Sequence, residues 1–172
     1  ELIFHNYADQ LGNLTISAGI TGNVDLTFSG TGMTVLSGTN TFNGITRING
    51  GTVQIDQAAR LGNTVSNLEL RGGTLFSTAN MTISNRTIIL GGDGGNFRVA
   101  ANTTNFIANV VSETNFLGGT RANNGHGDLI KTGAGTLELG TTAGATNELT
   151  APYNMYQGLT DVREGTLRLM SV

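Results

Sequence analysis

The chain has no cysteine, no tryptophan and a single proline, and only 12% of its 172 residues are charged. Without cysteine there can be no disulfide framework, no thiolate metal site and no thiol nucleophile. The compartment stays open, because secreted bacterial surface proteins can also lack it. With aromatics at 6% and no tryptophan, the platforms that usually bind sugars are scarce. Nine basic residues, eight of them arginine, are scattered through a chain of net charge −3, which argues against a nucleic-acid surface. No apolar run approaches the ~20 residues of a membrane-spanning helix, and no charged-then-apolar leader opens the chain.

What is abundant is glycine, threonine and asparagine. They number 26, 26 and 19, so three residue types fill 71 of 172 positions. Glycine and asparagine weaken helices and threonine favours strands or caps, which disfavours helical bundles and alternating helix–strand folds. The small net charge and evenly spread apolar residues point away from disorder, and the length suits one domain, residues 1–172, with a sizeable core.

Internal repetition organises this material. Gly51-Thr52-Val53, Gly73-Thr74-Leu75 and Gly95-Asn96-Phe97 are spaced by 22 residues, and the phrase returns with stretched spacing at Gly135-Thr136-Leu137 and Gly165-Thr166-Leu167. Apolar residues two apart, such as Val53 and Ile55, Leu68 and Leu70, Ile88 and Leu90, or Leu137 and Leu139, mark very short strands with one face inward. Asn-Gly, Gly-Gly and Ser-Gly pairs between them supply the positive φ that sharp corners need. Together these features predict an all-β fold, a coil of parallel strands or β-solenoid with about eight rungs. A β-sandwich also uses short strands and glycine turns, but it has no reason to repeat every 22 residues.

A longer, imperfect duplication, 1–95 and 96–172, overlies the short period. Residues 42–55 (FNGITRINGGTVQI) match 156–169 (YQGLTDVREGTLRL) at an offset of 114, whereas Asp25, Gly30, Gly32 and Leu36 match Asp128, Gly133, Gly135 and Leu139 at 103. The second copy therefore carries eleven extra residues between Gly140 and Met155. Residues 131–139 (KTGAGTLEL) followed by 156–167, with a second copy over 36–53, resemble the passenger-associated transport repeat of bacterial autotransporters. The resemblance implies a right-handed parallel β-helix at the bacterial outer-membrane surface or outside the cell, serving as stalk and export aid. Two departures stand out: the extended 140–155 segment, and the lack of any membrane barrel, through which alone such a protein would meet the membrane.

Candidate chemistry is thin. Some β-helices cleave polysaccharides with carboxylates gathered on one face, but Asp25 and Asp128 hold equivalent repeat positions far apart along a coil, and read more simply as solvated or turn-capping residues. Ser112, His126 and Asp128 could be imagined as a triad, but geometry, not sequence proximity, defines one, and a glycine-rich loop is the plainer reading. The run Gly91 to Arg98 is similar to a calcium-binding nonapeptide, yet it occurs once, so it reads as a tight corner. His5 and His126 are too few for histidine ligation, and no cofactor or metal is expected. Asn13, Asn80, Asn85 and Asn102 open Asn-x-Thr or similar sequons; in a chain rich in both residues they read as structural, forming ladders between rungs. Gln57 to Arg60 is the one helix-like turn and reads as a corner excursion.

Two candidate surfaces remain. Pro152, Tyr153, Met155 and Tyr156 could form a contact loop for host, cell-surface or matrix components; the alternative is that Tyr156 simply replaces Phe42 in packing. Leu2, Phe4, Leu167 and Leu169 lie in terminal strands without a polar cap, which suggests either a segment of a longer solenoid or end-to-end stacking of copies. The leading expectation is a non-enzymatic surface scaffold, stalk or adhesin segment of an autotransporter-type protein. The alternatives are a self-assembling extracellular filament subunit and a carbohydrate-active β-helix enzyme, the latter needing a groove of carboxylates and basic groups that the sequence does not show.

Overall fold

The computed structural model describes residues 1–8, 12–109, 111–113, 127–140 and 156–170. Its strands fall into three sheets. The first stacks β1 (Leu2–Asn6), β3 (Leu26–Gly30), β5 (Thr46–Ile48), β7 (Leu68–Leu70), β10 (Ile88–Leu90) and β13 (Val111–Glu113). The second stacks β2 (Asn13–Ile16), β4 (Met33–Leu36), β6 (Thr52–Ile55), β8 (Thr74–Ser77), β11 (Gly95–Val99), β14 (Leu129–Thr132) and β16 (Thr160–Val162). The third holds β9 (Met81–Ile83), β12 (Thr104–Ile107), β15 (Thr136–Gly140) and β17 (Thr166–Met170). Strands adjacent in sequence lie in different sheets, and every pairing is parallel to the strand one coil away. That is the parallel β-helix the repeat predicts, and the longest sheet holds seven strands among the described residues.

In-register stacking makes the core. Leu26, Thr46, Leu68, Ile88 and Val111 form one inward column, and Phe28, Ile48, Leu70 and Leu90 the next, all buried. The second sheet adds Val53, Leu75 and Phe97. Phe4 extends the aromatic stack, its ring 5.3 Å from that of Phe28 and 11° from parallel. Fully burying each such side chain contributes roughly 1.5–3 kcal/mol, and alternation within a strand leaves its other residues facing outward.

Where β-structure lapses, side chains take over. Among the described residues the third side of the first coils carries no strand, and the chain there is held by backbone bonds such as Thr41 N–H to Ile20 O at 2.8 Å and by asparagines. The expected corner excursion is a 3-10 helix, Ala58–Leu61, flanked by an Asp56–Arg60 pair at 2.8 Å.

The duplication is not aligned with the faces. In the first copy β3 and β5 belong to the first sheet and β4 and β6 to the second; their counterparts β14 and β16 lie in the second sheet, and β15 and β17 in the third. The repeat has moved on by one face. The cause is coil length: Thr46, Leu68 and Ile88 pair at steps of 22 and 20 residues, whereas Gly95, Leu129 and Thr160 pair at 34 and 31.

Candidate functional site

In a molecule built by stacking, the working parts are the contacts that join one coil to the next. The two repeat copies share one of them. The Asp25 carboxylate accepts the Ile45 N–H at 2.9 Å, and the Asp128 carboxylate accepts the Leu159 N–H at 2.7 Å, with Ile45 and Leu159 at equivalent repeat positions. The residue before each is glycine because the coil beneath leaves no room: a Cβ at Gly44 would collide with the Val24 carbonyl, and one at Gly158 would lie 2.5 Å from the Asp128 carboxylate. Asp25 also binds Arg47 at 2.8 Å, and the Arg47 hydrogen bond, seconded by the Ile45 N–H, holds its pKa below the ordinary carboxylate value. Arg47 continues to Glu69 at 3.1 Å and Glu69 to Arg71 at 2.9 Å, a charged ladder on the outer face of the first sheet. These carboxylates are engaged in holding coils together.

Asparagines form the second kind of contact. Asn40, 4% exposed, accepts the Ile20 N–H at 2.9 Å through its amide oxygen and donates to the Arg60 carbonyl at 2.6 Å, tying three coils at once. On the surface Asn63 donates to Asn43 and Asn43 to Asn23, each at 2.9 Å. Asn96 donates to Thr74 at 3.2 Å and accepts from Thr132 at 2.9 Å. Of the sequon asparagines, Asn80 accepts the Thr104 N–H of the next coil at 2.7 Å, while Asn85 and Asn102 supply left-handed corners with φ of 59° and 60°. The ladder reading of Asn and Thr thus has a structural counterpart.

Two buried cations form the third, and sequence reasoning missed both. Lys131 occupies an inward position of β14, in register with Phe97, and is fully buried. Its ammonium has three protons and three carbonyl acceptors, Thr132 at 2.7 Å, Gly133 at 2.6 Å and Glu164 at 3.1 Å. Burial pushes its pKa down, against the pull of Glu164. The Glu164 carboxylate meanwhile accepts the Gly133 N–H at 3.0 Å. Arg86, 2% exposed, donates to the carbonyls of Leu61, Gly62 and Asn63 at 3.0–3.2 Å, capping the 3-10 helix from another coil. Burial pulls its pKa down to about 10. The available signal was the offset of 103, which sets Lys131 opposite the inward Phe28.

Of the sequence-predicted surfaces, Pro152, Tyr153 and Met155 lie outside the described residues, as does His126. Tyr156 is half-buried, packs on the core, and its hydroxyl lies 2.7 Å from that of Thr160. Ser112 is buried. Within the run Gly91 to Arg98, residues 91–94 form a tight turn closed by Gly94 N–H to Gly91 O at 2.9 Å and Gly95–Arg98 already belong to β11, and the described residues contain no cluster of three metal-ligating acidic or histidine side chains. Leu2 and Leu169 are exposed, at 40% and 75%, while Phe4 and Leu167 pack partly on the core.

The family model of the passenger-associated-transport-repeat matches residues 26–55 and 129–169; each segment holds the N–H donor of the Asp-to-N–H contact, Ile45 or Leu159, and the aspartate stands one residue before the segment. Over 155 residues, 90% of its length, the chain is 35% identical to the adhesin BmaC autotransporter of Brucella suis biovar 1. The chain carries two copies of this autotransporter passenger repeat. Such a passenger segment acts at the extracellular side of the outer membrane. The chain spans 4% of the length of that Brucella relative, so it corresponds to a small part of such a passenger. No solved structure matches it. In the second copy of the repeat Lys131 donates to the corner carbonyls of Thr132 and Gly133, and Gly158, close under the Asp128 carboxylate that binds the Leu159 N–H, sets one coil in register on the next.

Proposed function

We propose that this segment is a non-enzymatic scaffold within an adhesin-type passenger, a stiff spacer that holds contact surfaces away from the cell. The observation that carries the reading is the unbroken in-register stacking, with apolar columns inside and side-chain ladders outside. At about 4.8 Å per coil, seven coils extend roughly 30 Å. Asp25 and Asp128 support the non-enzymatic reading, because each is tied to a backbone N–H and they serve different coils. Contact with host or matrix components falls to the stretch that includes Pro152, Tyr153, Met155 and Tyr156.

Removing one whole coil tests the scaffold role. Thr46 and Leu68 are register partners, so deleting 46–67 joins equivalent positions. In the surface-displayed passenger, attachment to host cells should survive this deletion and fall with alanine at Tyr153 and Tyr156. Loss of attachment by a folded, displayed deletion variant would overturn the spacer reading. Elongation that grows with concentration in sedimentation would favour end-to-end assembly instead.

A further inference from the structure

The chain contains the dipeptide Asn-Gly at Asn43-Gly44, Asn49-Gly50 and Asn124-Gly125, of which the last lies outside the described residues. This pair is chemically special: glycine has no side chain to hinder its backbone nitrogen from attacking the preceding amide carbon. The structure puts the first two in opposite situations, although both asparagines are exposed. Asn43 is the middle of a ladder, its amide nitrogen donating to Asn23 and its amide oxygen accepting from Asn63, both at 2.9 Å. Its backbone N–H is bound to Gly22 O at 2.9 Å, and Gly44 is pressed against the Val24 carbonyl of the coil beneath. Asn49 stands at the corner between β5 and β6, followed by Gly50 and by Gly51 at φ 64°. Its backbone N–H is held by Phe28 O at 2.8 Å, but the groups that react, its side-chain amide and the Gly50 N–H, are engaged by no hydrogen bond among the described residues.

We propose that Asn49 is a site of spontaneous modification, and that the asparagine ladder protects Asn43 from the same fate. The Gly50 nitrogen loses its proton to solvent base and forms a bond to Asn49 Cγ. The side-chain nitrogen leaves as ammonia, closing a succinimide, and water then opens the ring at either carbonyl to give aspartate or isoaspartate. Neither oxidant nor reductant is needed. One negative charge is added at the corner, and the isoaspartate product also lengthens the backbone there by one carbon, directly beside the Gly51 that nests against Gly32. For Asn43 to follow this course its amide must first leave two hydrogen bonds, which slows it by about tenfold or more.

The folded chain is incubated at pH 8 and 37 °C and its peptides are mapped by mass spectrometry, with isoaspartyl methylation as a second readout. Expected is at least tenfold faster conversion at Asn49 than at Asn43. The same chain in urea is the internal reference, where the two Asn-Gly pairs should react within about twofold of one another because no ladder exists. Asn63→Ala should speed Asn43 and leave Asn49 unchanged. Equal rates at the two sites in the folded chain, or Asn49 slowed relative to urea as much as Asn43, would overturn the proposal.

Discussion

Replacing Asn40 by aspartate changes one NH2 for one oxygen and nothing in volume, so it isolates the polar part of coil stacking. The Ile20 N–H keeps its acceptor, but the carboxylate then faces the Arg60 carbonyl, 2.6 Å from the present donor, with no proton between them. A lost hydrogen bond that leaves a buried acceptor unpaired costs about 1–3 kcal/mol, and burying a charge at a site only 4% exposed adds to it. We expect Asn40→Asp to destabilise the chain by about 2–4 kcal/mol at pH 7. Burial and the facing carbonyl raise the folded-state pKa of the new carboxyl above its unfolded value of ~3.9, so its stabilising contribution is complete below that value and lost as pH rises through the folded pKa. At pH 3.5 the protonated acid donates to Arg60 O, and the gap to the parent should shrink to about 1 kcal/mol. Asn40→Leu, which abolishes both bonds, should show a gap independent of pH. Urea unfolding followed by far-ultraviolet circular dichroism at the two pH values measures this. A gap for the aspartate variant that stays constant or widens in acid would refute the reasoning.

Other expected outcomes follow from the same contacts. Lys131→Met leaves the carbonyls of Thr132, Gly133 and Glu164 without their donor and should cost about 2–4 kcal/mol in urea unfolding. Gly165→Ala, at φ 69° with the Gly133 and Gly135 carbonyls against the new methyl, should lower the melting temperature far more than Gly22→Ala, whose φ is 98° but whose Cβ would meet open space. The latter should cost only the ~1–2 kcal/mol of a left-handed L-residue. Because Asp25 has a depressed folded-state pKa, its contribution is present above its unfolded value of ~3.9 and lost as pH falls through the folded pKa. Asp25→Asn should therefore flatten the acid limb of the stability profile, read as melting temperature between pH 2 and 6.

The coil itself was legible because its signals are local and periodic. Gly51, Gly73 and Gly95 mark corners one period apart, and pairs such as Leu68 and Leu70 show which side of a strand faces inward. Asparagine ladders were legible as a class, since Asn side chains at corners have few other uses. Buried Lys131 and Arg86 were not, because residue type speaks for solvent exposure, and their partners are backbone carbonyls that carry no letter in the sequence. The move of the repeat from one face to the next was hidden for a similar reason. The match over 42–55 and 156–169 is the same whichever sheet receives it, and only the pairing of β14 with β11, and of β15 with β12, reveals where each copy lands.

That indifference to face makes the repeat a swivel as well as a spacer. A copy that begins one side later presents its outward residues about a third of a revolution away from those of its predecessor. Lengthening a single coil is enough to re-aim a surface without inventing a new joint, so a lineage of such rods can explore directions in space by insertion alone.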